Sequence, residues 1–166
     1  GELSQVLAVQ NAAKATVYGI QSSVEMKWAS GISFLIKANY QKGEEELDDG
    51  TKSPLRHAAP FFAMSKISFK HKKLYLELAA IYNSEVSFDD LPEEEKGKDY
   101  IYAVDDDGNP YCPEFLILNF KSQYQISNHF SVNGGVENIA DIRYRPYSSG
   151  IVAAGRNFML SLKASF

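Results

Sequence analysis

The densest set of potential metal ligands in this chain is Asp105-Asp106-Asp107-Gly108-Asn109-Pro110. A calcium loop needs carboxylates at alternate positions and a bidentate Glu at the twelfth. Here the acids are contiguous and Leu116 stands at that twelfth place, so the run reads as a turn with solvated carboxylates. His57, His71 and His129 are too far apart in sequence to imply a shared metal site. No Ser lies in a nucleophile-elbow pattern, and Gly134-Gly135 reads as a bend or close approach within a strand rather than a phosphate loop. The lone Cys112 excludes an internal disulfide and a cysteine-based zinc site, and is expected to be a loop thiol. The runs Glu44 to Asp49 and Asp89 to Glu95 read as solvated loops. These residues predict no catalytic site, no metal and no cofactor, and hence no enzyme.

The elements that carry these residues are β-strands. The last eleven residues, Arg156 to Phe166, alternate strictly. Phe158, Leu160, Leu162, Ala164 and Phe166 fall on one face, and Met159, Ser161, Lys163 and Ser165 on the other. The same division predicts strands over Ala15 to Trp28, Ile32 to Gln41, Phe61 to Lys70, Leu74 to Asn83, Leu116 to Ile126 and Phe130 to Glu137. That makes roughly seven strands of about ten residues, the length a tilted strand needs to cross a bilayer. Lys37, Lys66, Lys121, Glu137 and Lys163 belong to the polar face throughout. Periodicity alone leaves two possibilities open, a half-buried soluble sheet and a membrane barrel with a wet interior.

Connection lengths separate them. Tight turns at Ala29 to Gly31, His71 to Lys73 and Ser127 to His129 alternate with long polar segments, roughly Lys42 to Pro60, Ser84 to Pro113 and Ala140 to Gly155. An up-and-down meander then has all its long loops at one end, the layout of outer-membrane barrels. Loops beyond about 12–15 residues are uncommon in compact domains, which favours the barrel. Leu91 to Lys98, charged and containing Pro92, is expected to form at most a short surface turn. Tyr18, Trp28, Tyr40, Phe61, Phe69, Tyr82, Tyr124, Phe130 and Phe166 lie near strand ends on the apolar faces, as an interfacial aromatic girdle would.

Composition agrees. The chain has 166 residues, one domain's worth, with 45% apolar and 13% aromatic residues. A net charge of −4 gives no nucleic-acid surface. There is no run of about 18 apolar residues for a transmembrane helix, and the opening Gly1-Glu2-Leu3-Ser4-Gln5 has no secretory-signal pattern.

Three segments carry a family resemblance. Glu137-Asn138-Ile139-Ala140-Asp141-Ile142-Arg143-Tyr144, then Gly155-Arg156-Asn157-Phe158 and the terminal Phe166, resemble the C-terminal end of TonB-dependent outer-membrane receptors. Ala140 stands where that family usually has Phe, and Ala154 where it has Pro. Upstream, Asn11 to Gln21 resembles the family's Asn-x-x-Lys-Ala-x-x-Tyr-Gly motif, with Tyr18 and Gly19 matching. Ser53 to Pro60 resembles a third segment, and the three occur in the family's order.

The resemblance implies an all-β antiparallel meander, part of a barrel of about 22 strands closed around a plug domain. On that reading residues 1–166 are the C-terminal segment of the barrel, located in the bacterial outer membrane. The partners implied are outer-membrane lipid, the plug and remaining strands, and the energy-transducing TonB complex. Barrel-assembly machinery would read the C-terminal strand ending at Phe166. The cargo implied is a scarce nutrient such as an iron-siderophore, cobalamin or a glycan, met by the long loops. Two alternatives remain: a lipocalin-like binder of hydrophobic ligands, and a complete eight-stranded outer-membrane protein with Leu3 to Gln10 as its extra strand.

Overall fold

The computed structural model describes residues 14–56, 58–98 and 100–166. Seven long strands form one antiparallel meander, joined by sequence neighbours throughout. They are β1 (Lys14–Lys27), β2 (Ile32–Glu46), β4 (Phe62–His71), β5 (Leu74–Asn83), β8 (Phe115–Gln125), β9 (Phe130–Glu137) and β10 (Asn157–Ala164). The short β3 (Lys52–Pro54) adds to β2, and β6 (Ala103–Val104) pairs with β7 (Pro110–Tyr111) in a separate two-stranded ribbon. The all-β up-and-down reading therefore holds.

Register explains why the two faces stay separate across the sheet. Residues paired on adjacent antiparallel strands share a face. One ladder runs Met26, Phe34, Ile67, Leu78, Phe120, Val136, Phe158, crossing all seven strands without a polar side chain. These side chains meet water or lipid, not a protein core: Ile67 is 53% exposed, Leu78 46% and Phe158 73%. The ladder one step along the strands carries Lys27, Ser33, Ser68, Glu77, Lys121, Gly135 and Met159 on the opposite face. A slip of one residue anywhere would exchange the two sets.

The ends of the strands depart from expectation in places. Lys42 to Glu46, expected to be loop, continue β2 and pair with Lys14 to Tyr18. Backbone pairing with β1 holds this extension whatever its side chains, so the charges there do not break it. Lys52 to Pro54 also pairs rather than looping free.

The turns fall as connection length required, with 28–31, 72–73 and 126–129 at one end and the long loops at the other. In the first turn Gly31 has φ +89°, and a Cβ there would sit 2.1 Å from the Lys70 carbonyl oxygen. Only glycine fits that approach. Among the described residues β1 and β10 are both unpaired edges, so the sheet does not close on itself. A self-contained lipocalin-like barrel is thereby set aside. The extra strand anticipated from Leu3 to Gln10 lies outside the described residues.

Candidate functional site: a loop cap on an asparagine knot

The three long loops do not wave independently. Val86, Leu91, Tyr102 and Cys112 form a small buried cluster, with Ile101 and Tyr147 packed against it. The cluster lies entirely in connections, outside the sheet. Leu91 is fully buried, which a one-turn helix α1 (Glu93–Lys96) and a preceding 3-10 turn (Phe88–Asp90) make possible by folding the chain back on itself. Leu91 to Lys98 was expected to be a surface turn; instead it supplies the centre of the cap. Cys112, expected in a loop, pairs its backbone with Val86 in an isolated bridge and is buried. Desolvation pushes its thiol up to about 11, so it is an inert structural thiol at neutral pH.

Glu95 joins two loops. Its side chain is fully buried, yet its carboxylate accepts from Lys98 Nζ at 2.7 Å and from the Tyr102 hydroxyl at 2.8 Å. Arg56, from the loop between β3 and β4, forms an ion pair with the same carboxylate. Burial alone raises the Glu95 pKa; the bonds from Lys98 and Tyr102 and the Arg56 charge outweigh it and hold the group below its usual range. The Glu93 amide also donates to the buried Ser53 hydroxyl, 3.2 Å away. The last loop closes over the same cluster through Tyr147 and through Arg145, whose Nη1 donates to the carbonyls of Tyr100 and Ile101 at 3.2 and 3.0 Å. Burial, first, and the Glu95 charge push the Tyr147 phenol up to about 12.

The cap stands on a hydrogen-bonded knot at the end of β9. Asn138, 3% exposed, adopts φ +49°, which Asn tolerates better than most residues. Its amide N–H donates to Asn119 Oδ1 on β8 at 2.8 Å. Its side chain donates to the Ile142 and Ala154 carbonyls and accepts from the Ile142 amide at 2.9 Å, tying both ends of the last loop together. Asp141 Oδ1 accepts from the Arg156 amide at 2.7 Å, and Arg156 Nε donates to the Ile139 carbonyl at 2.9 Å. A Cβ on Gly155 would lie 2.7 Å from Asp141 Oδ1. Tyr144 packs against Phe115 with the rings tilted by 41° and centroids 4.4 Å apart, and Glu137 pairs with Lys121 at 3.7 Å.

Six of the motif residues thus gather in one place: Glu137, Asn138, Asp141, Tyr144, Gly155 and Arg156. Phe158, second residue of β10, lies opposite Val136, exposed on the apolar face. Tyr18 and Gly19 lie on β1, at the far edge of the sheet. Phe166 lies at the short-turn end, edge-on to Phe130 at 6.1 Å. Asn119, Arg56, Tyr102 and Tyr147 went unread in sequence, and Glu95, expected to be solvated within the run Asp89 to Glu95, is buried instead because Arg56, Lys98 and Tyr102 meet its carboxylate. Asn119 had a signal, a polar residue on the inner face next to the motif; Glu95 had none, being one of three consecutive glutamates.

Between loops 84–114 and 138–156 lies a cleft of about 370 Å³ lined by Tyr100, Tyr111, Tyr144, Arg143, Arg145 and Val152, among others. Ring faces, hydroxyls and guanidinium groups converge there, a set suited to holding a ligand. Among the described residues no group of His, Cys, Asp or Glu is arranged to hold a metal ion.

No family model and no curated protein matches this chain. Solved structures do. The chain superposes on the copper transporter OprC with a TM-score of 0.72 at 13% identity, covering 92% of this chain and 23% of that one. A mutant of the ferric enterobactin receptor PfeA from Pseudomonas aeruginosa gives 0.68 at 19% identity, covering 94% and 23%. The FrpB iron transporter from Neisseria meningitidis gives 0.70 at 14% identity, covering 94% and 24%. All are TonB-dependent receptors. This chain has the fold of a TonB-dependent receptor barrel. It spans about a quarter of the length of each of these receptors. Receptors and transporters of this fold place the exposed ladder and the one-ended loops of the chain in a consistent frame.

Proposed function

We propose that this chain is the C-terminal segment of the barrel of a TonB-dependent receptor in a bacterial outer membrane. It contributes strands and loops to the active uptake of a scarce nutrient, such as an iron-siderophore, cobalamin or a glycan. One observation carries the reading: seven strands present an unbroken apolar ladder that no part of the described chain covers. Lipid is the solvent that such a face requires. Lys37, Lys66, Lys121, Glu137 and Lys163 then face the interior, toward a plug domain. The remaining strands would pair with the open edges at β1 and β10, since hydrocarbon tolerates no unpaired strand edge. The TonB complex would act through other parts of such a receptor, and barrel-assembly machinery would engage the strand ending at Phe166. The cleft between the two longest loops is the candidate contact for cargo.

The single tryptophan tests the membrane reading. Trp28 is 49% exposed at the short-turn end of β1. In liposomes its fluorescence should be quenched by lipid brominated near the headgroup and spared by aqueous iodide. Quenching by iodide with no response to brominated lipid refutes the assignment.

A further inference from the structure

Charge is divided along the strands. The segments 43–61, 84–114 and 138–156 hold 17 of the 21 acidic residues of the chain. The short-turn end holds a different population, with Lys70, Lys72 and Lys73 around one turn, interrupted only by His71. Several lysines elsewhere have found carboxylates, Lys66 with Glu77 at 3.1 Å, Lys27 with Glu25 at 3.1 Å and Lys121 with Glu137 at 3.7 Å, whereas Lys14, Lys37 and Lys42 stand unpaired among the described residues but are not gathered around one turn. Among the described residues Lys70, Lys72 and Lys73 pair with none. Lys73 donates instead to the Ile126 carbonyl at 3.0 Å, which pins its turn to the next one.

These lysines line a groove of about 440 Å³ with Tyr75, Gln123 and Gln125. The ladder sets Lys70 beside Tyr75 and Gln123, on the polar face. Phe69 and Tyr124 at the same height belong to the opposite face, and Leu74, beside the turn, is the one apolar residue that borders the groove. Lipid headgroups would gather on that opposite face, while the groove opens on the polar side. Tyr75 donates its hydroxyl to Glu77, Gln125 Nε2 to the Ser127 and Phe130 carbonyls and Lys73 to Ile126, so among the described residues the donors left open in the trough are the Lys70 and Lys72 ammonium groups and the Gln123 amide, a set that matches carboxylates.

We propose that this groove docks an acidic polypeptide segment, an extended stretch presenting several carboxylates, at the short-turn mouth of the barrel. The proposal rests on reading the polar face as the barrel interior, which the Trp28 experiment tests separately. The 166-residue chain in zwitterionic micelles is titrated into fluorescein-labelled hexaglutamate, and binding is read by anisotropy. The triple variant Lys70→Gln, Lys72→Gln, Lys73→Gln should bind about tenfold more weakly, a loss of ~1.4 kcal/mol. The control Lys14→Gln, Lys37→Gln, Lys42→Gln removes equal charge elsewhere and should stay within about twofold of the parent. Raising salt should weaken the parent far more than the groove variant. A far-ultraviolet β signature in each variant, with Lys72→Glu alone as a single-site check, keeps misfolding from imitating the result. Equal losses in both triple variants, or no measurable binding of hexaglutamate at low salt, overturn the proposal. So does capture of anionic phosphatidylglycerol vesicles by these lysines with the peptide left unbound.

Discussion

Replacing Glu95 by Ala should open the loop cap while leaving the sheet intact. The carboxylate is fully buried and serves Lys98, Tyr102 and Arg56 together. Deleting one partner of a fully buried ion pair costs ~3–5 kcal/mol. Here Arg56 is 40% and Lys98 25% exposed, so both cations can turn to water and most of that cost is relieved. The Tyr102 hydroxyl, in a residue 9% exposed, cannot, and an orphaned buried donor costs ~1–3 kcal/mol. A net local loss of ~2–3 kcal/mol follows, a factor of roughly 30–150 in the opening equilibrium. Cys112 reports it directly, as the single thiol buried in the same cluster. Its alkylation by iodoacetamide at mildly alkaline pH should accelerate by that factor in the variant. Amide exchange in β5 and β8 should not change. Acceleration below about threefold, or equal acceleration in the strands, would refute the idea that Glu95 holds the cap as a separable unit. The sign with pH follows from its lowered pKa. The contribution is present above the unfolded carboxylate range and is lost as pH falls through the folded value, so acid opens the cap.

Alkali should open the same cap: the Tyr147 phenol is pushed by burial from the ordinary tyrosine value of 10.0 up to about 12, so its stabilising share is lost as pH climbs between them. Cys112 alkylation, corrected for thiolate fraction, should rise across that window and stay flat below it. In the knot, Gly155→Ala drives a Cβ to 2.7 Å from Asp141 Oδ1 and should cost ~1–3 kcal/mol in denaturant unfolding; a neutral result would show that the Asp141–Arg156 contact is loose. On the apolar ladder, Leu78→Arg should destabilise the lipid-folded protein by ~2–4 kcal/mol if the site lies near the bilayer midplane. Gln123→Arg, at an exposed position on the other face, is the comparison, and equal costs would contradict the two-faced reading.

The sheet was legible because exposure of one apolar face and the strand period reinforce each other. Every second residue must be apolar, and a seven-strand ladder repeats that demand at each crossing. The loops were legible in length and placement but not in content, and the reason is physical. Whether Glu95 is solvated, like Glu93 and Glu94 beside it, depends on Arg56, nearly forty positions away, and on Tyr102 folding over it. No local pattern encodes such a meeting. The motif around Asn138 was visible by resemblance, while its role was not. An asparagine at positive φ, bonded to both ends of one loop and to Asn119 on the neighbouring strand, fixes where a nineteen-residue excursion leaves and re-enters the sheet. That arrangement places Asn138, Asp141, Gly155 and Arg156 at the base of the loop, while Arg143 and Tyr144, from the same segment, line the cleft beside Tyr100 and Tyr111. One short stretch of chain thus both ties the loop to the sheet and supplies part of the cleft wall, which sequence alone did not separate.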